Sequence, residues 1–273
     1  MRIPILVALD QNYIPRLKVL LTSMYINHPG QGFDVYLLHS RIPDETLQQL
    51  ESDVKRLDDR LYAIRAEDAV FAEAKVTDRY PKEMYYRLLA AQWLPKSLDK
   101  ILYLDPDILV INPLYELWNT DIDDYLFAAA SHTEKNEMAN GINRIRLKTE
   151  TDYFNSGVLL INLQKAREQI KPEEVFRFVA ENPKALLLPD QDVLNALYGM
   201  QILKIDDARW NYDARNYNLY LLQSGGEQNL AWVLEHTAIL HFCGREKPWK
   251  AYYRRRFGAS YRHYMSLTDR YLG

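Results

Sequence analysis

The sequence predicts an α/β fold in which a largely parallel sheet is flanked by helices and followed by a small helical segment at the C-terminus. Through the first third of the chain, apolar runs of strand length alternate with stretches of helical periodicity. Strands that alternate with helices imply parallel pairing, because each crossover returns the chain to the same edge of the sheet. Acidic residues directly follow two of the apolar runs, where open α/β sheets bind ligands.

The first half of the chain has a βαβαβ pattern. Strands are predicted at residues 3–9, 33–38 and 61–64, and helices at residues 14–24 and 43–57. Pro15 suits the first turn of the first helix, where no backbone donor is needed. The turn after the first strand lacks a Gly-x-Gly-x-x-Gly pattern, which disfavours a dinucleotide-dependent dehydrogenase.

The second half continues the alternation with less regular spacing. A helix at residues 82–93 ends before Pro95, and a strand follows at residues 100–104. Further strands are predicted at residues 127–130 and 158–162, and further helices at residues 172–180 and 191–197. The sequence contains neither a repeat nor a Gly/Ser-rich linker. The simplest division is therefore one domain at residues 1–248 and a C-terminal tail at residues 249–273.

Composition argues against several classes of protein. A chain of 273 residues with 48% hydrophobic and 26% charged residues is typical of a soluble globular protein. The net charge of −3 argues against a nucleic-acid partner, which needs a basic surplus. Cys243 is the single cysteine, which excludes an intrachain disulfide and favours a reducing compartment. Neither a signal-peptide pattern nor an apolar run near the ~20 residues of a membrane span is present. We therefore expect a cytoplasmic protein, with peripheral contact at the inner face of the plasma membrane as the alternative.

The most informative feature is Asp105-Pro106-Asp107, which follows the strand predicted at residues 100–104. Two carboxylates at the end of a strand suit a hard divalent cation such as Mg²⁺ or Mn²⁺, and such a cation most often serves a diphosphate. The alternative is a surface turn, since Asp and Pro both favour turns.

His241 and the residues after it could complete this site. His241 ends another apolar run, and an imidazole beside two carboxylates favours Mn²⁺. Gly244 would let the backbone approach a diphosphate closely, and Lys247 would place a cation beside it. The alternatives are a hydrogen-bonded core histidine and a polar loop that buries Trp249.

Two further polar stretches are candidate binding residues. Asp10, Asn12 and Tyr13 lie in the first strand-to-helix turn, where they could bind a base or a ribose. Asp190-Gln191-Asp192 begins a predicted helix. Both stretches have a structural alternative, because Asn suits a helix cap and acidic residues favour helix N-termini.

Taken in order, these stretches resemble the family-eight retaining glycosyltransferases, near the bacterial lipopolysaccharide galactosyl- and glucosyltransferases and more distantly glycogenin. The matching stretches are residues 8–13, 86–88, 101–110, 154–162, 189–192, 241–244 and 247–249. The resemblance implies a GT-A fold that binds a UDP-sugar and Mn²⁺, with Mg²⁺ as the alternative ion, and that retains the anomeric configuration of a transferred hexose.

The resemblance also implies a role for each matching residue. It makes Asp105, Asp107 and His241 the metal ligands. The implied donor-binding residues are Ala8, Asp10, Asn12, Tyr13, Arg87, Asp105, Asn155, Asp190, Gln191, Gly244 and Lys247. Within that set, the turn at residues 10–13 holds uracil and ribose, and Gly244 and Lys247 hold the diphosphate.

Gln191 occupies the position that the family places beneath the anomeric carbon. Because an amide is a feeble nucleophile, we favour attack on the same face as the leaving group through an oxocarbenium-like state. A covalent route with Asp190 or Asp192 as the nucleophile is the alternative.

One position departs from the galactosyltransferases of the family. They carry an aspartate that contacts the donor sugar where this chain has His132, so UDP-glucose and UDP-galactose are equal candidates for the donor. Residues 132–150 are polar, and we predict a mobile loop there that shapes the acceptor site. The expected acceptor is a saccharide or a lipid-linked saccharide, such as lipopolysaccharide or another cell-surface glycan.

The sequence bears on three other functions. A nucleotidyltransferase would need a Gly-rich loop after the first strand, which residues 10–13 do not provide. A self-glucosylating protein like glycogenin stays open because the chain has 20 tyrosines. An inactive UDP-sugar-binding relative would be expected to lack the metal ligands.

Aromatic and basic residues interleave from Trp249 to Tyr271. This pattern suits an interfacial helix on anionic lipid. It equally suits a segment that covers the domain with buried rings and solvated arginines. RNA binding is a weaker alternative.

Overall fold

A seven-stranded mixed sheet and a small three-stranded sheet organise the protein. The computed structural model describes residues 2–66, 85–132 and 137–273. The strands are β1 (Ile3–Ala8), β2 (Phe33–His39), β3 (Arg60–Arg65), β4 (Lys100–Leu104), β5 (Ile108–Val110), β6 (Phe127–Ala130), β7 (Val158–Asn162), β8 (Ile202–Ile205), β9 (Tyr212–Asp213) and β10 (Ile239–His241).

Helices cover the sheet and connect its strands. They are α1 (Ile14–Asn27), α2 (Asp44–Arg56), α3 (Tyr86–Leu89), α4 (Tyr115–Trp118), α5 (Glu137–Leu147), α6 (Leu163–Gln169), α7 (Pro172–Glu181), α8 (Pro189–Tyr198), α9 (Asp207–Trp210), α10 (Tyr217–Gln223), α11 (Leu230–His236) and α12 (Gly258–Leu272). Short 3-10 turns occur at Gln11–Tyr13, Ala90–Gln92 and Gly199–Gln201.

The order of the large sheet is β3-β2-β1-β4-β7-β6-β8. The first four of these strands are parallel to one another, whereas β7 runs antiparallel to both β4 and β6. Strands β2 and β3 follow β1 in sequence and lie on one side of it in the sheet, whereas β4 lies on the other side of β1. The carboxyl ends of β1 and β4 therefore flank the point where the strand order reverses, which is where such sheets bind ligands.

The small sheet has the order β5-β10-β9. In this sheet His241 lies opposite Ile108 of β5 and opposite Asp213 of β9. Since β5 follows β4 after a turn of three residues, this pairing brings the end of β10 to the carboxyl end of β4.

Both faces of the large sheet are buried, as the continuous apolar run of the first strand predicts. Ile5 and Val7 belong to one hydrophobic cluster, and Leu6 belongs to a cluster on the opposite face. A third cluster lies around the small sheet and includes Tyr253, Phe257 and Tyr261.

The predicted α/β class and the strands and helices of the first half are confirmed, with boundaries that differ by one to three residues. The predicted helix at residues 82–93 is shorter, with α3 followed by a 3-10 turn; residues 82–84 lie outside the described residues.

The prediction of a mobile loop at residues 132–150 is wrong over residues 137–147, which form α5. Two polar residues of this helix, Asn140 and Arg146, have partners on other segments. Nδ2 of Asn140 donates to Asp152 at 2.7 Å, and Arg146 donates to both oxygens of Asp192. Polarity in this segment therefore reflects internal hydrogen bonding. Residues 133–136 lie outside the described residues.

The rings of the C-terminal tail divide between core and solvent. Tyr253, Phe257 and Tyr261 are buried, whereas Tyr252 and Tyr271 are exposed. Helix α12 packs against α1. The three buried rings therefore cover the domain, as one of the two alternatives for the tail predicts. In the described parts of the chain, no helix has the length and apolar character needed to cross a membrane.

Candidate active site

Two carboxylates and one imidazole converge at the carboxyl edge of the large sheet. Asp105 and Asp107 lie in the turn between β4 and β5, and His241 ends β10. One ligand atom from each residue lies within 4.8 Å of the other two. Nε2 of His241 is 3.3 Å from Oδ1 of Asp107 and 3.8 Å from Oδ2 of Asp105. We call these three residues the carboxylate cluster; they are the residues predicted as metal ligands.

Backbone hydrogen bonds hold the acidic turn in place. The amide of Asp105 donates to the carbonyl oxygen of Gly157 at 2.8 Å, and the amide of Phe242 donates to the carbonyl oxygen of Asp107 at 3.0 Å. The turn is thus fastened to the start of β7 on one side and to the end of β10 on the other.

Gly157 has no side chain, and the carboxylate cluster occupies the space that a side chain would fill. A Cβ atom at this position would lie 2.3 Å from Cε1 of His241 and 2.7 Å from Oδ2 of Asp105. Any side chain here would displace two residues of the cluster, so the close approach requires glycine.

A chain of hydrogen bonds orients the imidazole and extends from it to Gln191. Nδ1 of His241 is 2.8 Å from Oδ1 of Asn211, and Nδ2 of Asn211 donates to Oδ1 of Asn155 at 2.9 Å. Nδ2 of Asn155 then donates to Oε1 of Gln191 at 3.0 Å. Because Nδ1 donates to Asn211, Nε2 is the nitrogen that faces the carboxylates. Histidines that bind metals are commonly oriented in this way.

Cations balance the carboxylates. Lys247 forms an ion pair with Asp107, and its Nζ also donates to the carbonyl oxygen of Phe242 at 3.0 Å. Arg87 lies between two carboxylates, with Nη2 3.0 Å from Oδ1 of Asp105 and Nη1 3.4 Å from Oδ2 of Asp190. The cleft therefore contains paired positive and negative side chains. An anionic ligand could bind the cationic side chains, and a metal ion could bind the carboxylates.

The pKa values of the cluster follow from these contacts. Burial alone would raise the pKa of Asp107, but His241 and Lys247 hold it well below its ordinary value. Burial alone would lower the pKa of His241, but Cys243 and Asp107 hold it well above its ordinary value. Without a cation, Nε2 of His241 therefore carries a proton at the place where a metal ion would bind.

The donor set fits a divalent cation. Two carboxylates and an imidazole suit Mn²⁺, the imidazole is oriented by Asn211, and Gly157 leaves room beside it. The acidic residues of the cluster can therefore hold a metal ion.

A cleft of about 590 Å³ opens beside the carboxylate cluster. Its walls are Arg87, Asp105, Asp107, His132, Tyr153, Asn155, Ser156, Leu188, Asp190, Gln191, Arg215, His241, Cys243, Gly244, Arg245 and Lys247. Nine of the predicted site residues thus share one cavity, within the volume range of ordinary ligand pockets.

Asp190 and Gln191 face this cleft from the first turn of α8. Oδ2 of Asp190 accepts a hydrogen bond from Oγ of Ser156 at 3.1 Å. Burial raises the pKa of Asp190; Arg87 opposes this and Asp105 adds to it. Oε1 of Gln191 accepts from the amide of Ser156 at 3.3 Å as well as from Asn155. The amide of Gln191 is thus held in one orientation.

The structure does not bring Asp192 into the cleft. Its side chain is 0% exposed. Its two oxygens accept hydrogen bonds from Arg146, from the hydroxyl of Tyr153 at 2.6 Å, and from the backbone amides of Leu187 and Leu188. Asp192 therefore joins α5 and the preceding turn to α8, and its oxygens are not available to a ligand.

The first turn lies at the rim of the same region. Oδ1 of Asp10 accepts from the amide of Asn12 at 2.7 Å, so Asp10 caps the 3-10 turn. The ring of Tyr13 meets Trp249 edge to face at 6.4 Å, and Lys247 lies 5.9 Å from the centre of the same indole. Ala8 ends β1, which pairs with β4. These residues lie near the cleft but are not among its walls.

Gly244 has a φ of +83°, a conformation that favours glycine. A Cβ atom there would lie 2.6 Å from Nη1 of Arg215. Arg215 in turn donates to both oxygens of Asp213.

Sequence reasoning assigned no role to several residues of the site. These are Ser156, Gly157, Asn211, Asp213, Arg215 and Cys243. A signal was present for three of them, because Ser156 and Gly157 adjoin Asn155 in a matching stretch and Cys243 lies in the matching stretch at residues 241–244. Asn211, Asp213 and Arg215 lie in a stretch with no motif, and only the pairing of β9 with β10 brings them to the cleft.

Comparison with known proteins decides the family. The sequence pattern described as "Glycosyl transferase family 8" matches residues 4–252. The chain belongs to glycosyl transferase family 8. General stress protein A of Bacillus subtilis (strain 168) is 29% identical over 268 residues, which cover 95% of this chain and 91% of that protein. Lipopolysaccharide 1,2-glucosyltransferase of Escherichia coli (strain K12) is 26% identical over 250 residues, which cover 89% and 71% of the two chains.

Solved structures of this kind share the fold. The crystal structure of the galactosyltransferase LgtC with donor and acceptor sugar analogues superposes with a TM-score of 0.81 at 23% identity, covering 97% of this chain and 96% of LgtC. The glycosyltransferase GlyE of Streptococcus pneumoniae TIGR4 gives a TM-score of 0.72 at 21% identity, covering 100% and 62%. The predicted GT-A fold is confirmed. As a family 8 member, the chain is a glycosyltransferase, and the family implies a sugar donor, a saccharide acceptor and a divalent metal.

Proposed function

We propose that this protein is a retaining hexosyltransferase that transfers glucose or galactose from a UDP-sugar to a saccharide and requires Mn²⁺, for which Mg²⁺ is the alternative. The observation that carries the proposal is the convergence of Asp105, Asp107 and His241 at the strand-order reversal. They lie beside a cleft in which Arg87 and Lys247 pair with the two carboxylates. Family membership supplies the reaction class.

Asp105, Asp107 and His241 would hold the cation. When bound, it would act as a Lewis acid that stabilises the negative charge developing on the leaving diphosphate. Lys247 now pairs with Asp107, and a diphosphate could draw its ammonium group away from that carboxylate. Gly244 would let the backbone approach the phosphate oxygens.

The nucleoside of the donor would lie at the rim of the cleft. Asp10, Asn12 and the backbone of Ala8 would bind uracil and ribose, and Tyr13 would stack on uracil. Tyr13 is 37% exposed and packs edge to face against Trp249, so one face of its ring is available for stacking.

The hexose would lie deeper in the cleft, among Arg87, Asn155, Asp190 and Gln191. Oε1 of Gln191 already accepts two hydrogen bonds, and an amide is a weak nucleophile. We therefore favour same-face attack, in which an oxygen of the leaving phosphate accepts the proton of the acceptor hydroxyl. Asp190 faces the cleft and is the alternative nucleophile. Asp192 is not proposed for this role, since its carboxylate is fully buried among its partners.

The proposed acceptor is lipopolysaccharide or another cell-surface glycan, free or linked to lipid. The similarity to the lipopolysaccharide 1,2-glucosyltransferase of Escherichia coli supports this class. Exposed Tyr252 and Tyr271 and the arginines of the tail would provide a peripheral contact with anionic lipid. Cosedimentation with anionic and neutral vesicles tests that contact, and equal or no binding to the two would count against it.

Release of UDP from a panel of UDP-sugars, measured without an acceptor, tests the donor and the metal together. We expect one UDP-hexose to be hydrolysed with Mn²⁺ and not with EDTA. If no donor is hydrolysed, calorimetric titration with UDP is decisive, because failure to bind UDP would refute the proposal. Intact mass after incubation with UDP-glucose would reveal self-glucosylation through added hexoses, and UDP binding without turnover on any acceptor would identify an inactive binder.

A further inference from the structure

A second group of potential metal ligands lies beside the carboxylate cluster. His132, Asp213 and Cys243 each place one ligand atom within 4.8 Å of the other two. We call them the thiol cluster. We propose that the thiol cluster binds a thiophilic divalent ion of the Zn²⁺ class, separately from the carboxylate cluster, and that this ion inhibits the enzyme.

The backbone holds the thiol cluster in place. Asp213 lies opposite His241 in the β9–β10 pair, and the amide of Ala214 donates to the carbonyl oxygen of His241 at 3.0 Å. Cys243 follows two residues after His241, and a ligand atom of its side chain lies within 4.8 Å of one from His132 and one from Asp213. The two imidazole rings are 6.3 Å apart. The two clusters are therefore neighbours in the same cleft.

Asn211 orients the second histidine as well as the first. Nε2 of His132 forms a short hydrogen bond to the carbonyl oxygen of Asn211. A carbonyl can only accept, so Nε2 carries the hydrogen and Nδ1 is left to bind an ion. A metal-binding histidine typically donates its other ring N–H to a carbonyl or a carboxylate in this way.

The donor atoms distinguish the two clusters chemically. A thiolate with an imidazole and a carboxylate prefers Zn²⁺, whereas the sulfur-free carboxylate cluster suits Mn²⁺. Zn²⁺ takes four ligands, and three from the protein leave one position open. His132 and Cys243 line the cleft, so water or a phosphate oxygen can fill that position.

The charges permit binding. A thiolate and a carboxylate together balance the charge of one divalent ion, and Cys243 would release its proton on binding. Both oxygens of Asp213 accept hydrogen bonds from the guanidinium of Arg215, Oδ1 also accepts from the amide of Arg215, and Oδ2 also accepts from Asn216. An ion must therefore displace the guanidinium to reach this carboxylate. The side chain of Arg215 is 36% exposed and can move towards solvent.

Inhibition follows from the position of the ion. A cation at the thiol cluster would occupy the wall of the cleft that includes Gly244, and it would repel a cation at the carboxylate cluster. This step rests on the proposed transfer reaction, whereas Zn²⁺ binding itself does not.

The test is calorimetric titration of the chelator-treated full chain with Zn²⁺, together with absorption spectra after addition of Co²⁺. We expect one tight Zn²⁺ site and a thiolate-to-Co²⁺ charge-transfer band. Cys243→Ser should remove the band and weaken Zn²⁺ binding more than about 100-fold, since loss of an outer-shell partner alone costs about 10–100-fold. Asp107→Asn, the matched control in the other cluster, should keep both signals.

Zn²⁺ affinity that survives Cys243→Ser, absence of the band, or loss of both signals in Asp107→Asn would overturn the proposal. If circular dichroism shows that Cys243→Ser is unfolded, His132→Gln serves instead, since its amide can still donate to Asn211. Zn²⁺ should also lower UDP release at saturating Mn²⁺ in the wild type and less so in His132→Gln. Absence of UDP release together with failure to bind UDP would refute the proposed function and leave the Zn²⁺-binding result standing.

Discussion

Oδ1 of Asn211 lies 2.8 Å from Nδ1 of His241, and the hydrogen bond between them turns Nε2 of the imidazole towards Asp105 and Asp107. The same amide donates to Asn155, which donates to Gln191. One buried asparagine therefore links the proposed metal ligands to the proposed sugar-binding residues.

Asn211→Ala should raise the Mn²⁺ concentration needed for half-maximal UDP release by about 10–100-fold, because His241 loses the partner that orients it. Activity measured against Mn²⁺ concentration provides the readout. Asn112→Ala is the matched control, since the side chain of Asn112 also forms two hydrogen bonds but contacts no residue of the site. Equal Mn²⁺ dependence in the two variants would rule out the orienting role.

Gly157→Ala should reduce UDP release by at least about 100-fold, because the new methyl group would overlap His241 and Asp105. Initial rates at saturating Mn²⁺ measure the effect. Gly141→Ala is the control, since a Cβ there meets nothing within 4 Å and should add about 0.5–1 kcal/mol of helix stability. A fully active Gly157→Ala enzyme would contradict the proposed site.

Asp107→Ala should abolish Mn²⁺-dependent UDP release and leave the fold intact, because it removes one of three proposed ligands and leaves the others in place. Rates with Mn²⁺ and far-ultraviolet circular dichroism together test this. Asp99→Ala alters an exposed aspartate whose side chain bonds only to Gln164 among the described residues, and it should retain wild-type rates. Retained activity in Asp107→Ala would count heavily against the metal assignment.

Arg146→Ala should lower the free energy of unfolding by about 3 kcal/mol, because it leaves the buried carboxylate of Asp192 without its cation. Arg144→Ala removes a half-exposed partner of Asp152 and should cost no more than about 1 kcal/mol. Urea unfolding of both variants measures the difference. Equal free energies of unfolding in the two variants would show that the ion pair of Arg146 with Asp192 does not stabilise the packing of α5 against α8.

Asp59 should make stability fall as pH rises. Burial raises its carboxyl pKa from 3.8 to about 7, although a hydrogen bond from the amide of Phe33 opposes this. Between these values the folded state holds a proton that the unfolded state has lost. The free energy of unfolding should therefore fall by up to about 4 kcal/mol from about pH 4 to about pH 7 and then level off.

Asp59→Asn keeps the acceptor for Phe33 and cannot ionise, so its stability should depend less on pH. Urea midpoints of both proteins at about pH 5 and about pH 8 compare the two slopes. An unchanged slope in the variant would assign the pH dependence to other groups.

Local patterns in the sequence determined the α/β class, the strands and helices of the first half and the position of Asp105-Pro106-Asp107 at a strand end. These features depend on residues close together in the chain, where apolar periodicity decides which side chains can be buried. The predicted loop at residues 132–150 failed because the partners of Asn140 and Arg146 lie on other segments, Asp152 and Asp192.

Only the tertiary structure decided how the site is assembled. Asp190 and Asp192 stand two residues apart in one helix, yet the first faces the cleft and the second is buried against Arg146, because each helical residue turns the side-chain direction by about 100°. Asn211 lies in a stretch without a motif, and Gly157 lies in a matching stretch that gave it no role. Both residues reach His241 only because β10 pairs with β5 and β9. The pairing of β10 with β5 joins segments more than a hundred residues apart, and no pattern within either segment records it.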